Sequence, residues 1–171
     1  CLVGSEMCIR DSRNRYITYK SDRDLQAAHA SAPWIVTWDD HEVDNNYASD
    51  IPEDDQTPEQ LMLRRAAAYQ AYYEFMPIRL PVGRQGPAMP IHRRLRFGRL
   101  MEMNVLDTRQ YRSDQACGDG RQPRCTEHLD SNRTLLGSAQ KNWLYDSLAN
   151  ADATWNPCLL YTSDAADEGH C

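Results

Sequence analysis

Short apolar blocks alternate with long polar stretches along this chain, and the spacing of the apolar positions predicts the elements. Asp22 to Ala32 is alanine-rich and free of Gly and Pro until Pro33, which predicts a short helix. Trp34-Ile35-Val36-Thr37-Trp38 is β-branched and aromatic with no charge, the pattern of a strand buried on both faces. Polarity then reverses into an acidic loop that runs to Gln56. Thr57-Pro58-Glu59-Gln60 opens a helix with a cap, a first-turn proline and a capping-box glutamine. Leu61, Ala68, Tyr72 and Met76, flanked by Met62, Tyr69 and Tyr73, give that helix one apolar stripe, and Pro77 stops it.

A Pro/Gly-rich connector over 80–90 follows. Ile91 to Phe97 and Leu100 to Leu106 read as two strands turning at Gly98. Asp107 to Arg112 turns polar at the end of the second strand, 113–133 reads as a long loop, and Ser138 to Ala149 as a final helix with Trp143, Leu144 and Leu148 inward. Ala153 to Asn156 is the expected start of another strand. There is no internal repeat, and the length suits one domain.

The two ends change this picture. CLVGSEMCIRDS and CLLYTSDAADE resemble peptides translated from sequencing-adaptor DNA at contig edges, with genuine, poorly structured termini as the alternative. Residues 1–12 and 158–171 are therefore expected to pack little apolar surface, and the fold to lie in 13–157. Of six cysteines only Cys117 and Cys125 then remain, too few for a small disulfide scaffold. The formal charge of −6 argues against a nucleic-acid scaffold, which needs a basic face. No apolar run reaches the roughly 18 residues of a membrane span. No export leader, Gly-rich phosphate loop or Gly-x-Ser-x-Gly elbow is seen.

The candidate chemistry sits directly after the Trp34–Trp38 block, in Asp39-Asp40-His41-Glu42. Adjacent carboxylates at a strand end repel, and desolvation disfavours their charged forms further. A bound cation removes both penalties, and carboxylate with imidazole is an ordinary ligand set. The plain alternative is a solvated acidic loop capped by Asn45 and Asn46. Cys117 and Cys125 enclose a turn that fits a disulfide, and Cys117, Cys125 and His128 offer zinc three ligands without an evident fourth. Of the two, the disulfide is the expectation, with Cα atoms within roughly 7 Å. His29 and His92 are expected at the surface.

PWIVTWDDHEVDNNYA, LRRAAAYQAYYEFMPIRLP, LDTRQYRSDQACGDG, LLGSAQKNWL and TWN resemble, in order, successive blocks of the PhoD-like phosphatases. The resemblance covers essentially all of 13–157. It implies an α/β fold, the metallophosphoesterase β-sandwich flanked by helices, of which this chain holds the central part. It also implies metal-dependent hydrolysis of phosphate esters, with iron and calcium as cofactors, in a periplasmic or secreted monomer. Where the wider superfamily carries Gly-Asn-His-Glu/Asp, Asp40 stands in place of the Asn and His41 matches the His. Asp40 is then the first choice as metal ligand and His41 the donor to a phosphoryl oxygen. Glu42 orients His41 or a neighbouring ligand, and Asp39 is a ligand or an acceptor for backbone amides. In the LDTRQYR block, Arg109 is expected to meet phosphate with Asp107 in support and Arg112 nearby; a salt-bridged structural turn is the alternative. The family's Gly-Asp-x-x-Tyr block and metal-binding histidines are absent, so the chain by itself is expected to be inactive. Two rivals are a non-catalytic calcium-binding module and a hydrolase with His41 as general base.

Overall fold

The computed structural model describes residues 5–53, 55–79, 86–118 and 122–161. Most of the Pro/Gly-rich connector, and residues 1–4 and 162–171 of the two ends, lie outside the described residues. Among the described residues, four α-helices, a 3₁₀ turn and one three-stranded sheet make a mixed α and β architecture. The helices are α1 (Ser5–Lys20), α2 (Arg23–Ser31), α3 (Pro58–Phe75) and α4 (Gly137–Ala149). The strands are β1 (Arg93–Phe97), β2 (Met101–Val105) and β3 (Cys158–Leu159), in spatial order β1-β2-β3.

Helices α2 and α3 form where the residues predict them. The Asp22 side chain caps α2 by accepting from the Leu25 amide at 2.8 Å. At α3, Thr57 and Gln60 complete the reciprocal capping box, and the helix ends one residue before Met76. Leu61, Ala68, Tyr69 and Tyr72 are buried on its inner face, but Tyr73 is exposed. That face meets Trp38, Val43, Tyr47, Met89 and Ile91 in the main apolar cluster. Trp38 stacks on Tyr69 with ring centroids 4.0 Å apart and meets Tyr72 edge-on. The acidic loop is thereby anchored, because Val43 and Tyr47 belong to it and to the core at once.

β1 and β2 form the expected hairpin, Arg93 opposite Val105 and Phe97 opposite Met101, turning at Gly98 with φ 59°. The Trp34–Trp38 segment differs: it joins no ladder among the described residues. Side chains take the place of strand partners, since Arg93 Nη2 donates to the Val36 carbonyl (2.8 Å) and Thr37 Oγ1 to that of Leu106 (2.8 Å). Nor is it buried on both faces, for Trp34 is exposed while Trp38 is fully enclosed.

The ends also depart from expectation. α1 crosses residue 12 without a break and packs along α3, where Tyr16 stacks on Phe75 and Arg13 pairs with Glu74 at 2.6 Å. Cys8, inside the first end, is buried. β3 pairs in parallel with β2, Asn104 opposite Cys158 and Val105 opposite Leu159. It lies just beyond the segment expected to begin a strand, where Trp155 makes only a bridge to Met101. β2 offers a row of open donors, and the amides of Glu102, Asn104 and Leu106 find the carbonyls of Trp155, Pro157 and Leu159 at 2.8–2.9 Å. Apolar burial there is small, as Cys158 and Leu160 are exposed.

α4 buries a polar face rather than the expected apolar one. Gln140 and Ser147 are enclosed, Trp143 and Leu144 half-buried, and Leu148 exposed. The cause is what α4 packs on: Ser147 Oγ donates to Asn104 Oδ1 (2.6 Å), and Gln140 serves the backbone of Asp107. His92 is likewise half-buried, edge-on to Trp143, and burial lowers its pKa. His29, also half-buried, stacks on Trp34 at 4.1 Å.

Candidate metal centre

The loop after Trp38 folds as a tight turn around Asp40. Its carbonyl accepts from the amides of Val43 (2.7 Å) and Asp44 (2.8 Å), which directs the side chain inward. Asp40 Oδ2 then accepts from the Asn46 amide at 2.6 Å. Asn46 adopts φ 50°, a left-handed conformation that asparagine tolerates better than most residues. The loop is closed from outside by Arg65, whose Nη1 donates to the Ser49 carbonyl (2.6 Å), and by the Ser49 amide on the Arg109 carbonyl (3.0 Å).

Arg109 is the cation of this centre. Its Nε and Nη2 reach Asp39 Oδ1 at 2.9 and 2.7 Å, and Nη2 lies 3.3 Å from Asp40 Oδ1. The guanidinium is only 5% exposed, and its Nη1 is buried without a hydrogen-bond partner. This is the salt-bridged turn rather than a guanidinium held out toward a phosphate. Asp107 builds the turn: its Oδ1 accepts from the amides of Arg109 and Gln110 (both 3.0 Å), and Gln110 Nε2 covers Oδ2. Gln140 fixes the same residue from α4, accepting from its amide (2.8 Å) and donating to its carbonyl (2.7 Å). Asp107 therefore acts by holding Arg109 in place.

Two neighbouring carboxylates on one guanidinium do not ionise equally. Burial, followed by the hydrogen bond with Asp40, drives Asp39 up to about 7 against the pull of Arg109. Burial opposes ionisation of Asp40 too, but the hydrogen bonds from Asp39 and the Asn46 amide, with Arg109, hold it down at about 2. The pair thus keeps a proton into the neutral range, which a cation would displace.

His41 is side by side with this pair but not buried in it. Its Nδ1 lies 4.0 Å from Asp40 Oδ1 and its side chain is 65% exposed. Nε2 is 2.9 Å from Asn45 Oδ1, so Asn45, not Glu42, orients the imidazole. Glu42 instead accepts from the Asp39 amide (2.9 Å) and shapes the backbone of the loop. In the sequence Asn45 and Asn46 stand out only as caps of a solvated loop, although their place a few residues beyond two carboxylates is a signal for a polar partner of His41 and Asp40.

The donor set fits a cation in part. One ligand atom from each of Asp39, Asp40 and His41 falls within 4.8 Å of the others. Carboxylate oxygens suit a hard cation such as calcium, and the added imidazole suits iron. Asp40 Oδ1 is the better placed, because Arg109 already engages Asp39 Oδ1 twice.

Cys117 and Cys125 are bonded, with Cα atoms 6.0 Å apart and His128 Nδ1 3.1 Å from Cys117 Sγ. Bonded sulfurs are not thiolates, so in this state the trio offers a metal only the imidazole. Arg112, whose pKa is lowered by burial and then by Arg109, lines a cavity of about 460 Å³ with Asp114, His128 and Arg133.

The chain is 55% identical over 148 residues to alkaline phosphatase D of Bacillus subtilis (strain 168), covering 86% of this chain and 25% of that protein. A solved structure described as the structure of PhoD superposes with a TM-score of 0.84 at 51% identity, covering 91% of this chain and 30% of that one. The chain therefore spans about a quarter to a third of the length of these relatives. The family model of PhoD-like phosphatases matches residues 6–158, a span that holds the carboxylate pair, His41 and the Arg109 turn together: the chain belongs to the PhoD-like phosphatase family.

Proposed function

We propose that the protein to which this chain corresponds hydrolyses phosphate esters at a metal centre, and that Asp40 and His41 are this chain's contribution to it. The observation that carries the reading is the enclosed pair Asp39–Asp40, which shares the Arg109 guanidinium and brings one ligand atom each within 4.8 Å of an exposed imidazole. When bound, the metals supply an activated water and neutralise charge on the phosphoryl group. Asp40 Oδ1 holds a metal. His41, kept in orientation by Asn45, donates to a phosphoryl oxygen as negative charge develops there. Arg109 keeps Asp39 and Asp40 fixed and partly neutralised from behind, so it is a positioning residue.

Calcium and iron are the metals we propose, in a periplasmic or secreted monomer whose sheets form a β-sandwich flanked by helices. The described residues include no helix long and apolar enough to cross a membrane. The chain by itself is proposed to be inactive, because among its described residues Asp39, Asp40 and His41 form the one carboxylate-bearing cluster of metal-ligating groups. An incomplete set holds an ion loosely, and misplacement by about 1 Å already costs on the order of a hundredfold in rate.

The test is to assay a chromogenic phosphate ester with a full-length protein containing this segment, and with the 171-residue chain, each supplied with iron and calcium. Turnover by the full-length protein that chelation removes and metal restores is expected, with none from the chain. Metal binding without turnover in the full-length protein would favour the calcium-binding module instead.

The proton on the carboxylate pair gives a second expectation. Asp39 is raised, so it is protonated below about pH 7 and competes with the cation there. Affinity at this site is expected to fall roughly tenfold for each pH unit below 7 and to level off above it, with one proton released per ion. Calorimetry in buffers of differing ionisation enthalpy measures that proton, and a pH-independent affinity would contradict it.

A further inference from the structure

We propose that the disulfide loop is a thiol-gated metal site: once the Cys117–Cys125 bond is reduced, Cys117, Cys125 and His128 together bind a soft divalent cation of the zinc class. The site shares no residue with the Asp39–Asp40–His41 cluster and does not depend on the phosphatase reading.

The geometry is already close to what such an ion requires. Tetrahedral zinc with sulfur at about 2.3 Å and nitrogen at about 2.0 Å sets neighbouring ligand atoms roughly 3.5 Å apart. His128 Nδ1 stands 3.1 Å from Cys117 Sγ and 4.0 Å from Cys125 Sγ, on either side of that value. The three ligand atoms lie within 4.8 Å of one another. Only the two sulfurs must separate, by less than a side-chain rotation provides.

The backbone holds this arrangement independently of the covalent bond. Cys125 precedes the 3₁₀ turn Thr126–Leu129 that carries His128, so these two ligands are fixed by one short element. The His128 amide donates to the Cys125 carbonyl at 3.4 Å. On the other side, the Cys117 amide donates to Glu127 Oε2 at 2.8 Å, from the residue next to His128. Cys117 is itself in a left-handed conformation, φ 69°, which aims its side chain back at the turn. His128 also lines the cavity of about 460 Å³ beside Arg112 and Arg133, so a fourth position on the ion faces solvent or a small anion.

The chemistry balances with a dithiol reductant. It gives two electrons and two protons to the Cys117–Cys125 bond and leaves as its own disulfide. The two thiols formed lose their protons to solvent as the thiolates take the cation. The loop therefore stays closed in both redox states, by a covalent bond in one and by an ion in the other.

Cobalt(II) is the probe, because thiolate-to-cobalt charge-transfer absorption reports sulfur ligation directly. The 171-residue chain is titrated before and after reduction, with Cys117→Ser, Cys125→Ser and His128→Ala alongside. Reduction is expected to create absorption from one equivalent of cobalt per chain that zinc then displaces. Cys117→Ser and Cys125→Ser should remove it. His128→Ala should weaken binding at least tenfold, about the lower bound for losing even an outer partner of a metal. No new absorption on reduction would overturn the proposal, as would absorption that survives in Cys117→Ser, which would assign it to other thiols such as Cys8, disulfide-bonded before reduction, together with Cys158. Unchanged affinity in His128→Ala would also overturn it.

Discussion

Asp40→Ala in the full-length protein is expected to lower phosphate-ester turnover by at least on the order of a hundredfold and to lose metal with it. His41→Ala is expected to lower kcat by about 10²–10³-fold while metal content holds. The contrast follows from where the two side chains sit. Asp40 is enclosed, its Oδ2 held by the Asn46 amide and its Oδ1 facing Arg109, so alanine removes the oxygen best placed for an ion. His41 is exposed and leans on Asn45, so its loss removes a donor beside Asp40 while leaving the carboxylate oxygens themselves in place. Asn45→Ala, which frees the imidazole without deleting it, should fall between wild type and His41→Ala. Kinetics with metal analysis on each purified variant reads all three, and wild-type turnover in Asp40→Ala would refute the assignment.

The second large effect is on stability. Arg109→Ala removes the guanidinium shared by Asp39 and Asp40 and leaves two enclosed carboxylates without their ion-pair partner, with Arg112 acting on them only at longer range. Breaking such a pair costs about 3–5 kcal/mol, and partial exposure of Asp39 argues for the lower end. With about 3 kcal/mol lost, and 2–4 °C per kcal/mol for a protein of this size, the metal-free chain should melt about 6–12 °C lower. The cost depends on pH in a definite sense. Asp39 is raised to about 7 even with Arg109 present and higher without it, so the wild-type chain loses stability from about pH 4 to 7 and then levels off, while the variant goes on losing it above 7. The deficit should be largest near pH 9 and smaller near pH 6, where Asp39 keeps its proton. Asp39→Asn in the Arg109→Ala background should recover most of it at pH 9. A deficit that is the same at both pH values would show that Arg109 acts through packing alone.

Much of the frame was legible in the residues. The box at Thr57–Gln60 and the turn at Gly98 are local signals, each satisfied within a few residues of chain, and both appear as read. What failed depends on partners far along the chain. Trp34–Trp38 has a strand's composition, but composition does not supply a neighbour to pair with, and Arg93 and Thr37 settle its hydrogen bonds instead. α4 carries three large apolar residues, yet Gln140 and Ser147 face inward because β2 and the Asp107 turn present polar groups there. At the centre itself, Asp39, Asp40 and His41 were found from their succession. The partner that governs them, Arg109, is 70 residues away along the chain; the sequence offered a phosphate contact or a salt-bridged turn for it, and could not name Asp39 as the partner in the second.

The central claim is that Asp40 holds a metal in the working protein, and locating the ions tests it most directly. Crystals of the full-length protein loaded with iron and calcium, measured by anomalous scattering on either side of the iron edge, place each ion without reference to activity. The account predicts an ion within bonding distance of Asp40 Oδ1, about 2.0–2.6 Å, with the His41 imidazole beside it and Arg109 still on Asp39. Fully occupied metal sites with Asp39, Asp40 and His41 all out of reach would contradict it.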